Sequence, residues 1–203
     1  MKNYTHIFFD MGNVLVDYVP LNFITERTTN PADIYTLTRE IFLSEEWRGL
    51  DHGSIALDDA ARGILSRVPP HLVEDAQHLI YHWHDYMTPV DAMLEIVKAL
   101  KEKGYTLYIL SNAPLAFSEF KDRIPAMQYF DHHIVSAFIK RAKPDPAFFQ
   151  YVLDTYKLNP EDCFFIDDLL KNVLSALSLG IDAYLYNGNP QKLEQFLTRV
   201  QIL

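Results

Sequence analysis

Cysteine occurs once in this 203-residue chain, at Cys163, so no disulfide can form within it and the fold rests on its apolar core. The neighbours Phe164, Phe165 and Ile166 mark that cysteine as a core residue. Basic residues are short as well. Eighteen Lys and Arg stand against 27 Asp and Glu, a formal charge of −9 that argues against nonspecific binding to nucleic acid or to an anionic membrane. No apolar run reaches the ~20 residues that a membrane-spanning helix needs, and no secretory signal pattern opens the chain. Repeats and low-complexity stretches are missing too. These absences make a soluble, cytoplasmic protein the expectation. With 49% apolar residues, the chain is long enough for one domain, or one with a sizeable insertion, around a true core.

What is present is a set of five short apolar runs, at 7–9, 105–110, 133–136, 163–166 and 183–186. They are continuous rather than alternating, as strands buried on both faces are. Helical patterns separate them, and that alternation implies βαβ units. The clearest helix is expected over 89–103, with Thr88 and Pro89 at its start, Gly104 at its end, and Met93, Ile96, Val97 and Leu100 on one face. A second follows Lys143-Pro144-Asp145-Pro146, and a third covers 169–179 up to Gly180. The alternation fails once. Between 16 and 87 there is no convincing buried strand, only amphipathic segments at 32–42, 57–66 and 72–83. The predicted fold is therefore α/β, a Rossmann-like parallel sheet flanked by helices. A small helical-bundle cap is inserted after the first strand, with 1–15 and 89–203 as the core and 16–88 as the cap.

Four strand ends finish in polar residues, and a parallel sheet gathers such ends on one rim, where α/β folds keep their ligands. The first delivers Asp10, the second Ser111 and Asn112, the third leads to Lys143, and the fourth ends at Asp167 and Asp168. One aspartate after a strand is often only a turn residue or a helix cap. The ordered set of carboxylate, hydroxyl with amide, lysine and paired carboxylates is far more specific. It resembles the haloacid dehalogenase superfamily, and within it the capped phosphatases. The likeness covers nearly the whole chain.

That resemblance implies the roles. Asp10 matches the nucleophile that forms an aspartyl-phosphate, Ser111 the phosphate-binding hydroxyl and Lys143 the lysine that holds charge beside both. The Asn112 backbone amide would bind the phosphate with them. Magnesium would be held by Asp10, the backbone carbonyl of Gly12 and Asp168, with Asp167 and Asn172 behind them. A carboxylate can split one hard displacement at phosphorus into two steps, and a hard cation offsets the charge it meets. The substrate implied is a small phosphorylated metabolite, and with a charge of −9 only a local site can attract it.

The chain departs from the family pattern at position 12. Most relatives carry a second aspartate there, which protonates the leaving group and activates water, and this chain has Gly12. The form Asp10-Met11-Gly12-Asn13-Val14 resembles a subgroup of sugar-phosphate (glucose-1-phosphate) phosphatases. Selectivity is expected from the cap segment around Trp47, Arg48, Asp51 and His52, where His52 could replace the missing acid; a helix–loop connection with solvated charges is the alternative. Two other activities stay open. One is 2-haloacid dehalogenation, whose leaving halide needs no proton. The other is a catalytically weak binding or regulatory protein that keeps the fold.

Overall fold

A computed structural model describes residues 3–203. Its strands are β1 (His6–Phe9), β2 (Val16–Asp17), β3 (Thr88–Pro89), β4 (Thr106–Ser111), β5 (His132–Val135), β6 (Cys163–Asp167) and β7 (Asp182–Leu185). Five of them form one parallel sheet in the order β5-β4-β1-β6-β7, so β1 sits at its centre between β4 and β6. Ile7, Phe8 and Phe9 are all fully buried, and the pleat sends them to opposite layers. Ile7 and Phe9 join the apolar cluster on one face. Phe8 joins the other, with Phe148, Phe149, Val152 and Phe165. Burial on both faces explains why these strands read as unbroken apolar runs.

The helices are α1 (Pro20–Thr25), α2 (Pro31–Leu37), α3 (Glu45–Asp51), α4 (Leu57–Leu65), α5 (Val73–His82), α6 (Asp91–Glu102), α7 (Phe117–Phe120), α8 (Ser136–Ile139), α9 (Pro146–Tyr156), α10 (Leu170–Ser178) and α11 (Pro190–Arg199). Some of their starts are capped by a side chain. Asn30 accepts from the Ala32 amide at 2.9 Å, Ser44 from Trp47 at 3.1 Å and Asp145 from Ala147 at 2.9 Å. Among the described residues no helix is long and apolar enough to cross a membrane.

Helices α1 to α5 lie between β2 and β3, in the stretch read as helical from sequence. Their apolar residues, among them Leu37, Trp47, Ile64 and Leu79, belong to the same continuous cluster as Ile7 and Phe9 of the sheet. Several boundaries differ from the sequence reading. Val16–Asp17 is a strand after all, paired antiparallel with Thr88–Pro89, so the helix expected from 89 starts at Asp91. A two-residue strand carries no periodic pattern, so it leaves no trace in the sequence. The run expected at 105–110 is Thr106–Ser111, which puts Ser111 inside the sheet opposite Val135. The run expected at 133–136 is shifted the other way, to His132–Val135, and Ser136 opens α8. Helix α11 at the C-terminal end has no counterpart in the sequence reading.

Candidate active site

Asp10 continues β1 by one residue, its amide donating to the Ile166 carbonyl at 2.9 Å. That bond fixes where the side chain leaves the sheet. Its Oδ1 accepts from the Met11 amide at 2.7 Å and faces Lys143 Nζ at 2.9 Å. The same ammonium lies 2.7 Å from Asp167 Oδ2 at the end of β6. Asp167 is fully buried, and it also accepts from Asn172 Nδ2 at 3.0 Å and the Leu169 amide at 2.8 Å. The adjacent Asp168 takes a 3.3 Å bond from Asn13 Nδ2. Asn13 is held at a left-handed φ of 53°, and its Oδ1 accepts from the Tyr18 amide at 3.0 Å.

Oxygens of Asp10, Asp167 and Asp168 all lie within 4.8 Å of one another. Three carboxylates against the single ammonium of Lys143 leave this spot two negative charges in excess. Burial raises the Asp10 carboxyl above the ordinary carboxylate range, and Lys143 opposes it. Burial alone would lower the Lys143 pKa, but Asp10 and Asp167 outweigh it and hold the ammonium above its usual value. Asp168 is raised, first by burial and then by Asp167. A divalent cation suits such a site, since all its donors are hard oxygens. One further detail fits. Asn172 Oδ1 is buried without a hydrogen-bond donor, which an ion's coordinated water would satisfy.

Ser111 is 2% exposed and lines the same cavity as Asp10, Asn112 and Lys143. The Asn112 side chain clamps the loop that carries the lysine: Nδ2 donates to the Lys143 carbonyl at 2.7 Å, and Oδ1 accepts from the Lys143 amide at 2.9 Å. The Lys143–Pro144 peptide between this clamp and α9 is cis. Gly12 lies at the cavity's edge, and a Cβ there would meet nothing nearer than the Tyr18 Cβ at 3.7 Å. The backbone therefore does not demand glycine at this position.

The opposite wall of this cavity, about 170 Å³ in volume, comes from the helical layer. Trp47 and Asp51, one turn apart on α3, both line it. Arg48 and His52 share a different face and do not. Arg48 pairs with Glu45, and His52 Nδ1 lies 2.8 Å from the Arg48 carbonyl in an exposed position. Tyr18 and Trp83 complete the wall, with Trp47 Nε1 donating to the Tyr18 hydroxyl at 3.3 Å and the two indoles packed edge to face. Sequence reasoning missed Tyr18, Trp83 and Asn13. For Asn13 a signal existed, since asparagine after glycine is a common left-handed turn residue. For the two aromatics there was none.

Comparison with known proteins adds to this geometry. A family model described as haloacid dehalogenase-like hydrolase matches residues 4–180. A sesquiterpene phosphatase from Aspergillus oryzae is 27% identical over 174 residues, 85% of either chain. The rat bifunctional epoxide hydrolase 2 is 33% identical over 108 residues, about half of this chain but only 20% of that longer protein. Among solved structures, a family enzyme from Bacteroides thetaiotaomicron in complex with magnesium and inorganic phosphate superposes with a TM-score of 0.71 at 21% identity, covering 92% of this chain and 96% of that one. The L-2-haloacid dehalogenase of Xanthobacter autotrophicus, with chloropropionic acid covalently bound, gives 0.63 at 16% identity, covering 98% and 84%.

Proposed function

The chain belongs to the haloacid dehalogenase-like hydrolases, and we propose that it is a magnesium-dependent phosphatase of a small phosphorylated metabolite. The observation that carries this reading is Lys143 Nζ bridging Asp10 and Asp167 at 2.9 and 2.7 Å, with Asp168 alongside. Dehalogenation calls for no cation, and nothing in its chemistry needs three converging carboxylates. Asp10 is the nucleophile. Its Oδ1 is held by the Met11 amide and Lys143, and Oδ2 lies outside both bonds. Attack of that oxygen on phosphorus forms an aspartyl-phosphate and expels the alcohol, and water then frees the phosphate. Ser111, the Asn112 amide and Lys143 hold the phosphate oxygens as fixed donors that need no reorganisation.

Asp10, the Gly12 carbonyl and Asp168 would hold the magnesium ion, while Asp167 and Asn172 keep the lysine and the ligands in place. When bound, the ion supplies positive charge against the phosphate oxygens. Residues 16–88 act as a cap that excludes bulk water from the reacting atoms. Within this reading a sugar phosphate is the favoured substrate: the rings of Trp47 and Trp83 line the cavity, and Asp51 is a hydrogen-bonding group in the same wall. The phosphatase named among the relatives supports the reaction class.

The test is a panel of phosphate esters, including sugar 1-phosphates, assayed with magnesium and with chelator, on wild type and Asp10→Asn. Magnesium-dependent phosphate release is expected, and Asp10→Asn should lower it by roughly 10⁴-fold or more. Release from no ester, or halide release from a 2-haloacid in chelator, would overturn the reading.

A further inference from the structure

Gly12 leaves the chemistry without a proton donor, and the cavity contains one carboxyl that no step has used. We propose that Asp51 is the general acid and base of this reaction, acting from the cap side of the cavity. The inference rests on the phosphatase reading and extends it.

Position argues for Asp51 first. It lines the cavity that holds Asp10, Ser111 and Lys143, whereas His52 sits on another face of α3, exposed and engaged with a backbone carbonyl. The backbone carrying Asp51 is anchored. The Ser136 hydroxyl donates to the Asp51 carbonyl and accepts from the Ala113 amide at 3.0 Å, two residues beyond Ser111. At Gly53, held at φ 64°, a Cβ would come within 2.4 Å of the Ala137 carbonyl. The end of α3 is therefore seated directly on the loops that present the phosphate-binding residues. A proton-transfer group has to be held this closely.

Surroundings argue for it next. Among the described residues no hydrogen-bond donor or cation is paired with the Asp51 carboxylate, so its proton is not committed elsewhere. The charged or titratable groups around the cavity are the Tyr18 phenol beside it and Asp10, Lys143 and Asp168 on the other wall. Burial pushes the Asp51 carboxyl up to about 7, so both forms are populated near neutrality. One residue can then give a proton in the first step and take one in the second.

The two steps balance. As Asp10 bonds to phosphorus, the bond from phosphorus to the alcohol oxygen breaks and its electron pair stays on that oxygen. The Asp51 proton moves there, and the alcohol leaves. Asp51, now a carboxylate, takes a proton from a water whose oxygen bonds to phosphorus. The bond from phosphorus to Asp10 breaks, its electron pair returns to the Asp10 carboxylate, and phosphate departs with Asp51 protonated again.

Two esters of similar shape test this in the magnesium-loaded protein: benzyl phosphate, whose alcohol needs a proton to leave, and p-nitrophenyl phosphate, whose phenol does not. Rapid-quench single turnovers of wild type, Asp51→Asn and Asp51→Glu measure alcohol or phenol release. Asp51→Asn should slow benzyl alcohol release by about 10²- to 10⁴-fold and leave nitrophenol release within about threefold of wild type. Asp51→Glu should recover part of the loss on benzyl phosphate. Equal slowing of both esters by Asp51→Asn, or slowing of neither, overturns the assignment. No phosphate release by wild type from either of these esters or from the sugar phosphates of the panel overturns the phosphatase reading itself.

Discussion

The two walls of the cavity treat the same side chain in opposite ways. On the sheet side each carboxylate is tied down: Asp10 by Lys143 and the Met11 amide, Asp167 by Lys143, Asn172 and the Leu169 amide, Asp168 by Asn13. On the helical side Asp51 has aromatic neighbours, Tyr18 and Trp47, and no paired cation among the described residues. Burial raises Asp10 and Asp51 alike, but only at Asp10 does an ammonium push back. Surroundings thus sort identical residues into a fixed anionic cluster and a group free to exchange a proton.

The sharpest way to break this contrast is to remove the ammonium. Lys143→Met leaves two buried carboxylates facing each other without a cation, and should cost about 3–5 kcal/mol in urea unfolding, along with activity. A loss below 1 kcal/mol would mean that the cluster is held by its amide bonds alone. Magnesium comes next. At a hundredfold excess over its Kd it should stabilise the protein by about 2.7 kcal/mol in thermal unfolding, provided the ion binds only the folded chain. Asp168→Asn should abolish that gain and Asp51→Asn should keep it; a gain lost in both would erase the distinction between the walls. The smallest effect belongs to the link between them. Ser136→Ala strands the Ala113 amide and the Asp51 carbonyl, and should cost about 1–3 kcal/mol while raising KM. Unchanged stability and KM would show that the walls are held together by apolar contact only.

The sheet and its rim were legible because burial on both faces leaves a long apolar signature and because Asp10, Ser111 and Asp167 each stand where such a run stops. The lysine was legible from its motif. Its clamp was not, since Asn112 and Lys143 are 31 residues apart and the two bonds between them depend on how β4 and the loop before α9 meet. Around α3 the difficulty was phase. Trp47, Arg48, Asp51 and His52 all suited ligand binding, and only the helical turn separates the pair that lines the cavity from the pair that faces water. Tyr18 reaches the same wall just beyond β2, a strand too short to announce itself.

Asn13 offers a last consequence, for anyone who randomises that codon. Its left-handed backbone favours glycine, asparagine and aspartate over the other residues. Glycine would keep the turn and lose both side-chain bonds. Aspartate would keep the acceptor for Tyr18 and set a fourth carboxylate against Asp168. A library selected for turnover should therefore return asparagine, because that residue alone combines the backbone shape with a donor for one neighbour and an acceptor for the other.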